Sequence, residues 1–526
     1  MTNKYLYITL LAILGFNSEA DGQTQQPRST PRLVVNIAVD QLRSDYLEAF
    51  APLYSEGGLK RLLSQGKLYV NASYTFAPLD RASAIAAITT GTTPYYNSIV
   101  GNQWLNRETL RPVGCVDDPK YTGMLTAETA SPTGLSTSTI GDELKVATGG
   151  KSLVYAIAPF REAAVLSAGH AADAALWLDD VYGEWCSSIY YLMNVPTWLE
   201  SYNSQKAPRR KISHTVWEPL DDYSASFNYF LQTSSGKPFR HKFTGDYRFV
   251  NYKESGLVNS DVTDLAMHCI GSTAMGSDNV TDLLNLTYYA GTYGHQRVTD
   301  CQMELQDTYM RLDRELSRLI AYTDHFIGSD KVLYVLTSTG YSDVETADYD
   351  TFRIPTGTFY MSRTAHLMNM YLGAIWGQGN YVETTFRNQI FLNHQLLETR
   401  KISIGEATGR AQEIVAMMSG VRHVYTSLQL LTSQSAQSEK TRNAFHPQRC
   451  GDIIIEVSPG WRVMNEDTQQ SEVSVASFTQ FPIAIAGAGI SAERVITPVT
   501  IDRIAPTIAR CIRIRAPNAC SSEPLF

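Results

Sequence analysis

Five continuous apolar runs are the feature of this sequence that most restricts its fold. The first covers residues 32–40 (RLVVNIAVD) and ends in the carboxylate of Asp40. Similar runs recur at residues 151–158, 283–290, 331–337 and 481–486. Strands that are covered on both faces carry continuous apolar runs, whereas half-exposed strands alternate. These segments therefore predict buried strands of a parallel sheet.

The segments between these runs show helical patterns. The clearest is at residues 302–325, where apolar residues recur at steps of three and four and define one buried face. Strands that alternate with helices predict an α/β fold, in which a mainly parallel sheet is sandwiched by helices. Functional groups of such folds lie at the carboxyl ends of the strands. Asp40 is therefore the first candidate functional residue.

Two stretches depart from this alternation. Residues 171–260 are rich in Trp and Tyr and show weak periodicity, so we expect a cap insertion over the carboxyl edge of the sheet. Residues 342–470 are irregular and include a polar run at 432–442 that predicts a surface loop. We expect residues 32–526 to form one domain with insertions, since large α/β enzymes often exceed the usual domain length.

The N-terminus predicts export. Residues 5–16 are almost wholly apolar and small residues follow, which is typical of a signal peptide over residues 1–20, with a linker at 21–31. The apolar run is too short to span a bilayer. A formal net charge of −8 argues against a nucleic-acid binder. The seven cysteines leave at least one unpaired within the chain, and their pairing is open.

Several motifs resemble one known family. They are VVNIAVDQLRSDYL at 34–47, TTGTTPYYNSIVGNQW at 89–104, YGHQ at 293–296, VSPGWRVMNE at 457–466 and IDRIAPTIA at 501–509. In this order they resemble secreted bacterial enzymes of the alkaline phosphatase superfamily. The branch is that of type I phosphodiesterases/nucleotide pyrophosphatases, nearest to the phosphate-irrepressible alkaline phosphatases. The resemblance implies an alkaline-phosphatase-like fold.

The resemblance also implies two zinc ions and a threonine nucleophile, but most of the residues that this chemistry needs are missing. Asp40 and His295 match two of the six family ligands. The other four ligand positions fall on Gly291, Thr339, Gly340 and Ser471. The nucleophile position falls on Arg81, and the histidine four residues later in that motif falls on Ile85. We therefore expect no metal cofactor.

The phosphate contacts of the family are partly retained. Asn102 matches, and Arg161 matches if the alignment shifts by one residue. Arg81, Asn102 and Arg161 are therefore candidates for a metal-free anion site, because guanidinium groups suit tetrahedral oxyanions. In the alternative, Arg81 pairs with Asp40 and closes the pocket.

Structural roles are the alternatives for the two retained ligands, and one different metal site is also open. Asp40 could cap the following helix, and His295 could be a structural histidine. A cluster of Asp343, Asp348 and Asp350 could bind Ca²⁺, although such a stretch is more often a solvated loop.

The sequence thus predicts a catalytically inactive pseudo-phosphatase that is exported and acts by binding a protein partner or a ligand. We expect it in the periplasm or at the outer surface of a Gram-negative bacterium, without a transmembrane segment. It could be a subunit of a cell-envelope or secretion assembly. The alternative is a divergent metal-dependent phosphomonoesterase or phosphodiesterase with relocated ligands.

Overall fold

The structure is a computed structural model. It describes residues 30–220, 239–296, 300–342, 349, 352–466, 470–473 and 480–526. The predicted signal peptide and nearly all of the linker lie outside the described residues. So do Asp343, Asp348 and Asp350, the candidate calcium ligands.

The strands are numbered in chain order. They are β1 Leu33–Asp40, β2 Lys67–Ser73, β3 Gln103–Asn106, β4 Arg111–Gly114, β5 Gly123–Met124, β6 Val154–Ala158, β7 Ala174–Leu178, β8 Trp185–Ser188, β9 Val216–Trp217, β10 His241–Lys242, β11 Asp282–Tyr289, β12 Val332–Ser338, β13 Gly357–Tyr360, β14 Val382–Phe386, β15 Gln389–Leu392, β16 Val421–Thr426, β17 Ile453–Val457, β18 Trp461–Asn465, β19 Gln470–Val473, β20 Phe481–Gly487, β21 Glu493–Val495 and β22 Val499–Thr500.

The α-helices are named by their bounds. They are Ser44–Ala49, Leu59–Ser64, Arg81–Thr90, Pro94–Asn97, Ile140–Ala147, Arg161–Ala168, Thr197–Lys206, Pro208–Lys211, Arg248–Lys253, Val258–Thr273, Gln302–Phe326, Met361–Trp376, His394–Thr399, Ile404–Ala416, Ser427–Thr432, Glu439–Ala444 and Ile504–Ile512.

The largest sheet of the described residues has β1 near its centre. Its strand order is β21-β2-β20-β12-β1-β11-β6-β7-β8-β5, with β22 beside β2. Strand β1 pairs in parallel with β11 on one side and β12 on the other, and every residue of β1 is buried. The five predicted strands are all present, and the prediction of a mainly parallel sheet is confirmed. Strand β20 alone among them runs antiparallel to its neighbour β12.

The long helix predicted at residues 302–325 is present as Gln302–Phe326. The apolar face inferred from its spacing is buried, and it consists of Leu305, Tyr309, Leu312, Leu316 and Leu319. This helix packs on the helix Val258–Thr273 and also contacts β11. The sheet is therefore covered on this side, as expected for strands with continuous apolar runs.

The prediction of a cap insertion over all of residues 171–260 is wrong for its first part. Strands β7 and β8 belong to the main sheet, and Trp177 and Trp185 are fully buried in its core. Strands of four or five residues carry too few alternations to be recognised from periodicity. Trp177 and Trp185 therefore fill the core of the sheet and do not mark a surface.

Residues 357–463 contain a second hydrophobic core, where the sequence predicted an irregular stretch. One sheet of order β14-β15-β17-β16 and another of order β13-β18-β19 surround it. Met368 and Leu372 of the helix Met361–Trp376 are buried against Ile390 and Ile455 in this core. The polar run at 432–442 is largely exposed but includes the start of the helix Glu439–Ala444.

Two further observations concern membrane-spanning helices and disulfide bonds. No helix in the described ranges is both long and apolar enough to cross a bilayer. All seven cysteines lie in those ranges, and no disulfide bond joins any two of them there.

Candidate functional site

Asp40 ends β1 at the carboxyl edge of the sheet, and its side chain is fully buried. The Thr339 hydroxyl donates to Asp40 Oδ1 at 2.9 Å. The Tyr341 hydroxyl lies 3.5 Å from Asp40 Oδ2. The alternative that Asp40 caps the next helix is wrong, because the helix Ser44–Ala49 has Arg43 at its N-cap and no side-chain cap. Asp40 therefore faces the site and not the following helix.

Arg81 is the cation that faces Asp40. Its Nε donates to Asp40 Oδ2 at 2.8 Å, and its Nη1 donates to Glu162 Oε1 at 2.8 Å. The guanidinium carbon lies 3.4 Å from the centroid of the Phe160 ring, a cation–π contact. Burial alone lowers the pKa of Arg81, but Asp40, Tyr341 and Glu162 together raise it well above its ordinary value. Arg81 therefore stays positively charged.

Local helix capping places Arg81 at this point. Arg81 begins the helix Arg81–Thr90, whose N-cap Asp80 forms a capping box with Ser83. Asn102 supports the same turn, since its Oδ1 accepts from the backbone N–H of Ala82 at 3.0 Å. The backbone N–H of Asn102 donates to Asp80 Oδ2 at 2.5 Å. The side chain of Arg81 thus starts from a rigid helix end.

A cavity of about 450 Å³ lies beside these groups. Its wall carries five carboxylates, Asp80, Glu128, Glu162, Asp180 and Glu254. It also carries two arginines and one lysine, Arg81, Arg161 and Lys253. One alternative from the sequence was that Arg81 pairs with Asp40 and closes the pocket. The structure contains this ion pair, but a cavity remains beside it.

The candidate anion residue Arg161 points to other partners. Its Nη2 donates to Asp117 Oδ1 at 2.6 Å, and its Nη1 donates to the Thr129 carbonyl at 3.1 Å. Asn102 and Arg81 line the same cavity. The structure thus brings the three candidates to one wall, but each guanidinium is already paired with a carboxylate.

Sequence reasoning missed two charged residues of the site, Glu162 and Lys253. Burial raises the pKa of Glu162, but the charge and the hydrogen bond of Arg81 lower this pKa by a larger amount. The pKa of Glu162 therefore lies below its ordinary value. A signal for Glu162 was present, since an arginine and a carboxylate both appear where the family motifs have other residues. Lys253 pairs with Asp180 and ends a different helix, so no motif pointed to it.

His295 contacts the carboxylate of Glu254. Its Nε2 lies 2.9 Å from Glu254 Oε1, and its side chain is 51% exposed. Gly291, at the position of the aspartate partner, leaves no room for a side chain. A Cβ there would lie 2.6 Å from the Tyr289 hydroxyl and 3.0 Å from Gln41 Cδ. The structural role considered for His295 agrees with this pairing.

Aromatic side chains fill the space beside Gly340, which follows β12. Gly340 has a φ of +68°, and a Cβ there would lie 2.5 Å from Tyr74 Cε2 and 2.7 Å from Phe481 Cε1. Thr339 is buried and its hydroxyl is bonded to Asp40. A histidine side chain at residue 340 does not fit this packing.

Two further family positions were matched in the sequence to Ile85 and Ser471. Ile85 is fully buried within the helix Arg81–Thr90. Ser471 lies in β19, where it is paired with Met464 of β18 in a different sheet from Asp40.

The residues present do not fit a zinc centre. Zinc takes about four nitrogen, sulfur or oxygen donors at roughly 2.0–2.3 Å. Asp40 instead contacts a guanidinium and two hydroxyl groups. Across the part of the chain that the structure describes, no group of three or more His, Cys, Asp or Glu side chains could hold a metal ion.

One protein family matches most of the chain. The model of the family described as type I phosphodiesterase / nucleotide pyrophosphatase matches residues 34–478. The alkaline phosphatase PhoV of Synechococcus elongatus is 27% identical over 552 residues, which cover 98% of each protein. A Myroides odoratus protein named calcium-transporting ATPase is 28% identical over 518 residues, 94% of each protein.

A solved structure supports the same assignment. The alkaline phosphatase PafA of Elizabethkingia meningoseptica is 25% identical over 98% of each protein. The crystal structure of PafA superposes with a TM-score of 0.81 and covers 94% of this chain and 98% of its own. The sheet order and the family match agree with the motifs in the sequence. The chain therefore belongs to the type I phosphodiesterase / nucleotide pyrophosphatase family, within the alkaline phosphatase superfamily, and has an alkaline-phosphatase-like fold.

Proposed function

We propose that this protein is a pseudo-phosphatase that acts by binding and does not transfer phosphoryl groups. The observation that carries the proposal is the ion pair of Arg81 with Asp40 and Glu162, at 2.8 Å to each carboxylate. A guanidinium that stays protonated is not a nucleophile. It also engages the carboxylate that a metal ion would need.

The cavity supports a binding role. About 450 Å³ of space is within the range of small-molecule sites. Its wall has more carboxylates than arginine and lysine side chains, and Asp40, which contacts Arg81 of this wall, is fully buried. A phosphate dianion is therefore electrostatically disfavoured, and we expect a ligand of another charge class or a protein partner. The proposal includes export to the periplasm or outer surface, where the protein could belong to an envelope or secretion assembly.

Anion binding by Arg81, Asn102 and Arg161 is the competing form of the binding proposal. It is favoured by one observation: among the described residues, the Nδ2 group of Asn102 has no hydrogen-bond acceptor while Asn102 lines the cavity. Isothermal titration calorimetry with phosphate and sulfate separates the two forms. We expect no heat of binding at millimolar anion. Binding that is lost in Arg81→Ala would establish the anion site instead.

The second candidate function is a divergent phosphoesterase. The comparisons favour it, since relatives named alkaline phosphatases match over nearly the whole chain. The geometry at Asp40 favours the inactive form, and we give it more weight because phosphoryl transfer depends on the groups that touch the phosphate. An active enzyme would need carboxylates of the cavity wall as relocated ligands.

The two functions are separated by metal content and turnover. The mature chain is purified, its zinc is measured by mass spectrometry, and hydrolysis of an aryl phosphate and an aryl phosphodiester is followed with added Zn²⁺. PafA assayed in parallel is the positive control. We expect little bound zinc and no hydrolysis above the uncatalysed rate. Stoichiometric zinc with turnover would establish the phosphoesterase.

A further inference from the structure

We propose that a groove at the amino edge of the large sheet binds an amphiphile with one alkyl chain and a carboxylate head group, such as a medium-chain fatty acid. The groove has a volume of about 310 Å³. Its walls come from the helix Ile140–Ala147, the loop before β6, the residues before β11 and the end of the helix Ile504–Ile512. The inference concerns a second site, so it goes beyond the proposed function and does not rest on it.

The direction of the strands separates this groove from the cavity beside Arg81. Lys151 precedes β6, and Asn279 and Thr281 precede β11. Strands β6, β11 and β1 are parallel, so the groove lies at the edge where they begin. Asp40 lies at the edge where β1 ends, after eight residues of strand, which is a distance of roughly 25 Å. A ligand in the groove is therefore remote from Asp40.

Aliphatic side chains form the apolar part of the groove. Leu144 and Ile512 belong to two helices that pack on each other, and Val280 and Ile514 complete this surface. Apolar surface that a ligand removes from water favours its binding. None of the residues that line the groove is aromatic, so a planar ring would have no stacking partner. The groove is therefore better suited to an alkyl chain than to an aromatic ligand.

Two cations lie at the polar side of the groove. Lys151 is exposed and lines the groove. Lys145 nearby in the sequence pairs with Asp173 at 2.6 Å, but no carboxylate of the described residues pairs with Lys151. Arg32 adds a second charge, because its Nη2 donates to Oδ1 of the groove residue Asn279 at 2.8 Å.

The acids beside the groove leave this positive charge in excess. Asp282 is buried, and its two oxygens accept from the backbone N–H groups of Leu153 and Gly276. Asp278 is exposed, and its Oδ1 accepts from the backbone N–H of Val280 at 2.8 Å. Two cations thus face one exposed carboxylate. An anionic head group is therefore favoured at this side of the groove.

The size of the groove restricts the ligand further. Small-molecule sites have volumes of roughly 300–1,000 Å³ and combine apolar walls with a few polar groups. A volume of about 310 Å³ is at the lower end of this range, which favours one alkyl chain over the two chains of a phospholipid. The ligand class is therefore a carboxylate with a single alkyl chain, whose head group contacts the ammonium group of Lys151.

The test is isothermal titration calorimetry of the purified chain with octanoate, decanoate and decyltrimethylammonium. We expect one decanoate per chain, bound roughly tenfold more tightly than octanoate, because two further methylene groups leave water. Decyltrimethylammonium has a decyl chain with the opposite charge, so it should bind more weakly than decanoate. Equal affinities for decanoate and octanoate, or for decanoate and decyltrimethylammonium, would contradict the inference.

Two variants with matched controls assign the binding to the groove. Lys151→Glu should weaken decanoate binding roughly fivefold or more, because repulsion replaces attraction. Lys401→Glu makes the same change of charge at an exposed lysine outside the groove, and it should alter the affinity by less than about twofold. Ile514→Glu should weaken binding roughly tenfold or more, whereas Ile496→Glu, at a residue that is 75% exposed and outside the groove, should not.

Unchanged binding in both Lys151→Glu and Ile514→Glu would overturn the inference, because decanoate would then bind elsewhere. Lys151 is exposed, so Lys151→Glu decides the question if circular dichroism shows that Ile514→Glu does not fold. Analytical ultracentrifugation tests a second copy of the chain as the occupant. A wild-type dimer that Ile514→Glu dissociates would assign the groove to self-association and would contradict the fatty-acid site.

Discussion

At the scale of single residues, Arg81 joins two acids from distant parts of the sequence. Its charge balances Asp40 and Glu162 in a site where both acids are largely or wholly buried. The spacing of the GTTP motif predicts that Arg81 occupies the nucleophile position of the family, and this alignment stays a prediction. The partner of Arg81, Glu162, was not predictable, because hydrogen bonding across 81 residues of sequence leaves no periodic signal.

We predict strong coupling between Asp40 and Arg81. Removing one partner of a buried pair leaves a charge without compensation and typically costs about 3–5 kcal/mol. We therefore expect Arg81→Met to lower the free energy of unfolding by about that amount, measured by urea denaturation. In a double-mutant cycle with Asp40→Asn, the coupling energy should reach at least about 1 kcal/mol.

The pair Arg161–Asp117 is the control for this cycle. Its side chains are 22% and 38% exposed, so solvent screens the interaction. We expect a coupling energy below about 1 kcal/mol for Arg161→Met with Asp117→Asn. Equal coupling in the two pairs would show that burial of Asp40 is not the source of the effect.

At the scale of elements, the packing at the end of β12 decides which side chains residue 340 can carry. The sequence predicts that two family ligands are missing after this strand, but it could not show that the space beside residue 340 is filled. Tyr74 and Phe481, from two other strand regions, pack where a side chain at residue 340 would begin. Such packing depends on which strands are neighbours, which only the assembled sheet determines.

We predict that Gly340→Ala is strongly destabilising. The substitution places a Cβ 2.5 Å from Tyr74 at a φ of +68°, so steric overlap and left-handed strain add. Together they should lower the free energy of unfolding by about 2–5 kcal/mol. The measurement is urea denaturation followed by circular dichroism.

Gly489→Ala is the matched control for this prediction. Gly489 also has a positive φ, of +73°, but no atom of the described residues lies within 4 Å of the point where its Cβ would stand. Only the backbone strain applies there, so we expect a loss of about 1–2 kcal/mol. A loss at Gly340 no larger than that at Gly489 would mean that Tyr74 and Phe481 can move aside.

At the scale of the whole molecule, the contact between Asp142 and His170 joins two segments of the chain. This contact makes the stability of the fold depend on pH. His170 Nδ1 lies 3.0 Å from Asp142 Oδ2, and His170 Nε2 donates to the Leu135 carbonyl at 3.0 Å. The hydrogen bond to Asp142 raises the pKa of His170 above its ordinary value of 6.5. Burial raises the pKa of Asp142, but His170 and backbone N–H groups outweigh this and lower it below 3.8.

The sign of the effect follows from the directions of the two shifts. The raised pKa of His170 stabilises the fold fully below about pH 6.5, and this contribution is lost as the pH rises through the pKa of the folded state. The lowered pKa of Asp142 stabilises the fold above about pH 3.8 and is lost as the pH falls through its folded value. The pair therefore contributes most between these limits.

We predict that the Tm difference between the wild type and His170→Gln is largest near pH 5.5 and shrinks towards pH 9. Differential scanning calorimetry over this range measures it. The control is His366→Gln, since His366 Nδ1 faces the Ser362 carbonyl and not a carboxylate. A difference that grows with pH would reverse the assignment of the charged pair.

The sequence by itself determined the fold class, the five central strands and the long helix, while the loss of the zinc ligands stays a prediction. Apolar runs, helical spacing and motif positions predict these features, and such patterns depend only on residues that are close together in the sequence. The tertiary structure decided that Arg81 bridges Asp40 and Glu162, that aromatic rings fill the space at Gly340, and that residues 357–463 hold a second core. These features depend on strand order and on contacts between distant segments, because charge pairing and close packing act through space and leave no repeat in the sequence.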